Sequence, residues 1–141
     1  MSKYLLFTII CVVISVNISS ADTSMICSKK DAIKAEELAA KATTWNQLHK
    51  LYKRYHQCDD GAIAEGFSES VSIILSQSWG QIKNLLPIIQ KDARFETFVL
   101  YHLDETLPEE RLQLIGNLAT NSCPDSARNL CGKILRKLKQ F

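Results

Sequence analysis

The residues best equipped for chemistry lie in one stretch. Between positions 56 and 69 the chain carries His56, Cys58, Asp59, Asp60, Glu65 and Glu69. Glu65 and Glu69 are four apart, which sets them on one face of a helix, and the two aspartates stand where that helix begins. Three chemistries suit such a group: an acidic docking surface, a cation site, or carboxylates paired for acid–base work. A capped helix with a solvated acidic face accounts for the same residues without any ligand. An EF-hand is excluded, because the alternating oxygen ligands and the glutamate at position twelve are absent.

His49 and His56 are seven apart and fall on one side of a helix, near Lys53. Either could pair with Asp59 or Asp60. No nucleophile accompanies them in a recognisable turn: neither Gly-x-Ser-x-Gly nor His-Glu-x-x-His occurs. They therefore read as rim histidines, and His102 as a histidine at a helix end. His56 and Cys58 are close together, yet no Cys-x-x-Cys pair or spaced second histidine completes a zinc site. No metal or cofactor is expected.

The elements that must position these residues begin after a leader. Lys3 precedes an apolar run over residues 4–16, followed by Ser19 and Ala21 at the two positions that a signal peptidase reads. That order predicts a cleavable signal peptide over residues 1–21. The run falls short of the roughly 20 apolar residues that a membrane span needs. Cleavage leaves one domain over 22–141, with no second long apolar segment and hence no stable span. Losing Lys3 leaves sixteen basic residues against fifteen acidic, a mature charge of +1. Such a balance argues against a nucleic-acid partner, which calls for a strong basic footprint.

Four cysteines remain, Cys27, Cys58, Cys123 and Cys131. An even number in an exported chain favours two disulfides.

The domain reads as all-α: six or seven short amphipathic helices packed as antiparallel hairpins and stapled by the two bridges. Ser28 or Asp31 starts a first helix through Ala42, with Ile33, Ala35, Leu38, Ala39 and Ala42 as its apolar face. Thr44 and Gln47 match a capping box opening a helix whose inner face is Trp45, Leu48, Tyr52 and Tyr55. A third helix buries Ile63, Phe67, Val71, Ile74 and Leu75. Along it Ala62, Gly66 and Ser70 make a narrow side that another backbone can approach.

Pro87 must kink or restart the next helix. Asp92 caps one holding Phe95, Phe98, Val99 and Leu103. Thr106 and Glu109 suggest another capping box, leading into Leu112, Leu114, Ile115 and Leu118. The last helix spaces Ala127, Leu130, Cys131, Ile134, Leu138 and Phe141 three or four apart. Lys133, Arg136, Lys137 and Lys139 on its polar side complement the helix dipole or face an anionic surface.

A hairpin over 31–57 brings Cys27 to Cys58. Cys123 and Cys131 would stand about 12 Å apart on a continuous helix, beyond the roughly 7 Å that a bridge spans. They pair only if Cys123, Pro124 and Asp125 fold back outside the helix. The favoured pairs are Cys27–Cys58 and Cys123–Cys131, with the other two connectivities open.

The run His-Gln-Cys-Asp-Asp-Gly-Ala-Ile-Ala-Glu-Gly from position 56, with Cys123-Pro124 and Leu130-Cys131-Gly132-Lys133-Ile134, resembles a family of small exported bacterial helical proteins. The resemblance covers most of the mature chain. It implies a bacterial, periplasmic setting and brings no activity with it.

Two function classes follow. The first is a non-enzymatic module that binds another envelope protein, with a toxin-immunity protein or an inhibitor as its concrete form. Its contact residues would be His56, Asp59, Asp60, Glu65 and Glu69. The second is a hydrolase or cation-dependent enzyme using Asp59, Asp60 and Glu65 with a histidine. Convergence in one concave pocket would favour the enzyme, and an open surface the binding module.

Overall fold

Ser28 opens the first helix of the computed structural model by accepting a hydrogen bond from the Asp31 amide at 3.1 Å. The structure describes residues 26–141, so the leader and its cleavage site lie outside the described residues. Helix α1 (Lys29–Ala39) buries only Ala35 and Ala39. Ile33 is 61% exposed, against the expectation that it joins this face. It lies two residues from Ala35, about 200° round the helix, and the alanine side is the one that meets α3.

Helix α2 (Trp45–Tyr55) buries the aromatic face that its periodicity predicts. Its cap differs from the expected box in one arm. Thr44 accepts from the Gln47 amide at 3.3 Å, but the Gln47 side chain returns to the amide of Thr43 at 3.0 Å rather than to Thr44. A 3-10 turn at His56–Cys58 then leads to α3 (Gly61–Gln77). Asp60 holds the entry by accepting from the Gly61 amide at 2.8 Å. Gly61 has φ +51°, a conformation that glycine adopts without the Cβ penalty.

Helix α3 is the central element, packed against α1, α2 and α6. Its small-residue side is where α1 comes close. A Cβ placed on Gly66 would lie 2.8 Å from the Ala39 Cβ and 3.1 Å from the Ala40 nitrogen. One turn on, buried Ser70 donates to the Ala39 carbonyl at 2.6 Å and accepts from the Ala42 amide at 3.1 Å. A single hydroxyl thus serves two backbone groups left over where α1 ends.

A 3-10 turn at Trp79–Gln81 precedes α4 (Ile82–Lys91), which continues through Pro87 without ending. Helix α5 (Ala93–Tyr101) buries Phe95, Phe98 and Val99. Helix α6 (Glu109–Asn121) begins at Pro108 with no side-chain cap. Thr106 does not close a box with Glu109; its amide and hydroxyl both turn back to Asp104. Of the predicted face, Ile115 is buried while Leu114 is 45% exposed.

After Cys123, Pro124 is extended and Asp125–Ala127 forms a 3-10 turn, so the chain folds back before α7 (Arg128–Leu138). That non-helical lead-in brings Cys123 and Cys131 together with Cα atoms 6.4 Å apart. Cys27 and Cys58 form the other bridge, at 4.9 Å.

The fold is all-α: seven helices with no strand among the described residues, and two disulfides in the favoured pairing. One continuous core contains Trp45, Leu48, Phe67, Leu85, Phe95, Ile115 and Ile134. Among the described residues no helix is long and apolar enough to cross a membrane.

Candidate functional site

The acidic stretch does not act as one cluster. Asp59 turns inward and accepts a hydrogen bond at 3.0 Å from Nε2 of His102, 43 residues away. Its neighbour Asp60 points out as the cap of α3. Glu65 is exposed, while Glu69 is held by Arg111, whose guanidinium also donates to Ser72 at 2.9 Å. His56 stays on the rim, and its Nδ1–H donates to the Tyr52 carbonyl at 3.1 Å. Of the five predicted contact residues, His56, Asp60 and Glu65 remain exposed, and Asp59 and Glu69 are tied into the fold.

The centre of the polar network is His102, which caps α5 and is only 1% exposed. Its Nδ1 lies 3.0 Å from the Ser68 hydroxyl, which donates to Asp104 at 2.9 Å. Three parts of the chain therefore meet on one imidazole: the loop after Cys58, the middle of α3, and the turn after α5. Phe98 packs on the ring edge-on at 4.3 Å, and Phe67 lies at 5.7 Å. His102 stands at a helix end, as its sequence position suggests, but it is buried rather than on the rim. A signal was present in the serines at 68, 70 and 72, which fall among Phe67, Val71 and Ile74 of the α3 core face. Buried hydroxyls need partners, and the partner of Ser68 had to come from elsewhere in the chain.

Ser68, His102 and an aspartate are the residue types of a hydrolytic relay, and here they serve a different geometry. Ser68 lies mid-helix and is 3% exposed, with its hydroxyl committed to Asp104. The amides around it are engaged in the α3 ladder, whereas an oxyanion site uses free N–H groups aimed at the reacting carbon's oxygen. The arrangement ties elements together.

Two carboxyls in these contacts have lowered pKa values. The hydrogen bond from His49, 3.0 Å long, is the main cause at Asp92, against some opposition from burial. At Asp104 burial pushes upward, and hydrogen bonds from Thr106 and Ser68 together outweigh it. A carboxyl with a lower pKa folded than unfolded adds stability above its unfolded value, about 3.9. That stability is lost as pH falls through the folded value. Urea midpoints should therefore drop steadily below about pH 4, and Asp104→Asn should flatten part of that slope. An unchanged slope would mean that the carboxylate contributes nothing to acid sensitivity.

A cavity of about 280 Å³ opens beside the network, lined by Glu65, Ser68, His102, Asp104, Thr106 and Lys137, with Tyr101 at its edge. Tyr101 is 65% exposed, the largest aromatic surface among the described residues. Glu65 forms no ion pair among the described residues.

Elsewhere, His49 is occupied by Asp92 and packs against Phe95 at 4.7 Å. Lys133, read from the sequence as dipole-complementing, bonds both oxygens of Glu96 at 2.8 Å and ties α7 to α5. No group of three metal-ligating side chains occurs among the described residues. No protein-family model matches the chain, and no curated protein or solved structure is detectably similar to it.

Proposed function

We propose that the chain is exported to the periplasm or beyond, loses residues 1–21, and works there as a non-enzymatic protein-binding module. A toxin-immunity or inhibitor protein with a basic partner in the cell envelope is the concrete form. The carrying observation is the face around Tyr101, where an exposed aromatic ring borders a cavity rimmed by the unpaired carboxylate of Glu65. Aromatic anchors inside a polar rim are the usual energetic centre of a protein interface. Unpaired acidic charge at such a rim steers and selects a basic partner. Asp60 at the start of α3 and His56 in the turn before it are also exposed, and Asp59 is tied to His102 of the cavity wall.

The hydrolase reading, which groups Asp59, Asp60 and Glu65 with a histidine, draws on one fact, that Glu65 and His102 line the same cavity. The commitment of Ser68 to Asp104 weighs against it.

The test is capture from an envelope extract of the source cells. The bait is the exported form, whose intact mass should correspond to a chain beginning at Asp22. The pair Glu65→Lys and Tyr101→Ala should shift stability by no more than about 0.5 kcal/mol, as surface changes do. Capture should fall about thirtyfold or more, the loss expected of an interface hot spot. Undiminished capture by the folded variant would place the interface elsewhere, and an unfolded variant would make these residues structural.

A further inference from the structure

A cavity of about 510 Å³ lies in the groove between α6 and α7, next to the Tyr101 face, with Glu105 set between Asp104 and Thr106 of that face. Its floor is apolar, made by Leu112 on α6, Leu135 and Leu138 on α7, and Phe141 beyond, which is 44% exposed. At Gly116 a Cβ would make only an ordinary contact with the Leu138 side chain, at 3.6 Å. Glu105 and Glu109 stand on the α6 side and Lys139 on the α7 side. Although they share one groove, none of the three forms an ion pair among the described residues. Glu109 takes only the side-chain amide of Gln113, at 3.0 Å.

We infer that this groove receives a second copy of the same chain, forming a two-fold dimer. In a two-fold contact the same patch serves both partners, so that residue i faces residue j and j faces i. A groove with an acidic wall and a basic wall is complementary to itself under that symmetry. With the two-fold axis along the groove, each acidic wall meets the partner's basic wall, twice over, around the apolar floors. A groove of one sign would repel its own copy. A uniformly basic or acidic partner would match one wall and be repelled by the other. An apolar centre within a charged rim has the anatomy of a protein contact.

The experiment is analytical ultracentrifugation of the exported form across a concentration series, at low and high salt. The parent should be dimeric, and more weakly so at high salt. Glu105→Lys with Glu109→Lys makes both walls basic, and Lys139→Glu makes both acidic. Each variant alone should dimerise roughly tenfold or more weakly, because like charges then face each other. Mixing the two should restore a dimer, since basic walls now meet acidic ones at both contacts. The triple variant carrying all three changes should also dimerise, which keeps the test sound if one variant folds poorly. A parent that stays monomeric to millimolar concentration would overturn the inference. So would a dimer indifferent to these charges, or a mixture that remains monomeric. The Tyr101 reading is tested by partner capture and this one by self-association, so the two readings fail separately.

Discussion

Replacing His102 with leucine should cost about 3 kcal/mol, the upper end of the 1–3 kcal/mol range for leaving a buried hydrogen-bonding group unsatisfied. The upper end applies because His102 is the one hydrogen-bond donor that the Asp59 side chain has among the described residues. The physical cost is the group left behind. Asp59 Oδ2 would lose the His102 N–H, and Oδ1 is already buried without a hydrogen-bond partner. Leucine offers neither oxygen a donor, so the carboxylate must remain unpaired or take up a proton. Ser68→Ala should cost less, about 1 kcal/mol, because it removes one hydrogen-bond partner and leaves the histidine its bond to Asp59. Converting both His102 and Asp59 to leucine should recover much of the loss, because replacing both partners by apolar groups removes the desolvation penalty. Urea denaturation of the parent, His102→Leu, Asp59→Leu and the double variant gives the cycle. A His102→Leu cost below about 1 kcal/mol would reduce the contact to the worth of a surface ion pair.

The features that this network binds together differ in how far they could be read from sequence. Caps at Ser28 and Thr44 were legible because each depends on residues within four positions. The helical faces of α2, α3 and α7 were legible because burial at every third or fourth residue leaves a periodic trace. The non-helical lead-in over Cys123, Pro124 and Asp125 was legible as the condition for a Cys123–Cys131 bridge, because a continuous helix would hold the two sulfurs too far apart. Ile33 misled because α1 packs through alanines, so its most apolar side chain is not on its buried side. Thr106 misled because a nearby aspartate, Asp104, competes successfully for its amide.

Asp59 and Asp60 mark the boundary of what local pattern can reveal. They are adjacent and chemically identical, yet one caps a helix and the other is drawn to a histidine 43 positions later. Only the tertiary arrangement, in which α5 ends beside the start of α3, separates their roles. The candidate docking face was half legible for the same reason. Glu65 was identified from its place on a helix, while Tyr101 and its cavity arise from how α5 and α7 meet α3.

The disulfides should differ measurably in what they contribute. Cys27–Cys58 spans 31 residues and Cys123–Cys131 only 8. Restricting the unfolded chain over those loops is worth about 4 and about 2.5 kcal/mol respectively. Cys27→Ala with Cys58→Ala should therefore be the more damaging pair, read as a lower urea midpoint. The two bridges should also differ in what they couple to. Cys58 immediately precedes Asp59, so opening the first bridge frees the backbone that presents the carboxylate to His102. Combined with His102→Leu, its loss should be less than additive, with a coupling of at least about 0.5 kcal/mol, as for residues sharing one network. Loss of Cys123–Cys131, which has no member in that network, should add to His102→Leu within about 0.5 kcal/mol. Equal coupling for both bridges would mean that the Cys27–Cys58 link holds α1 to the core without positioning Asp59.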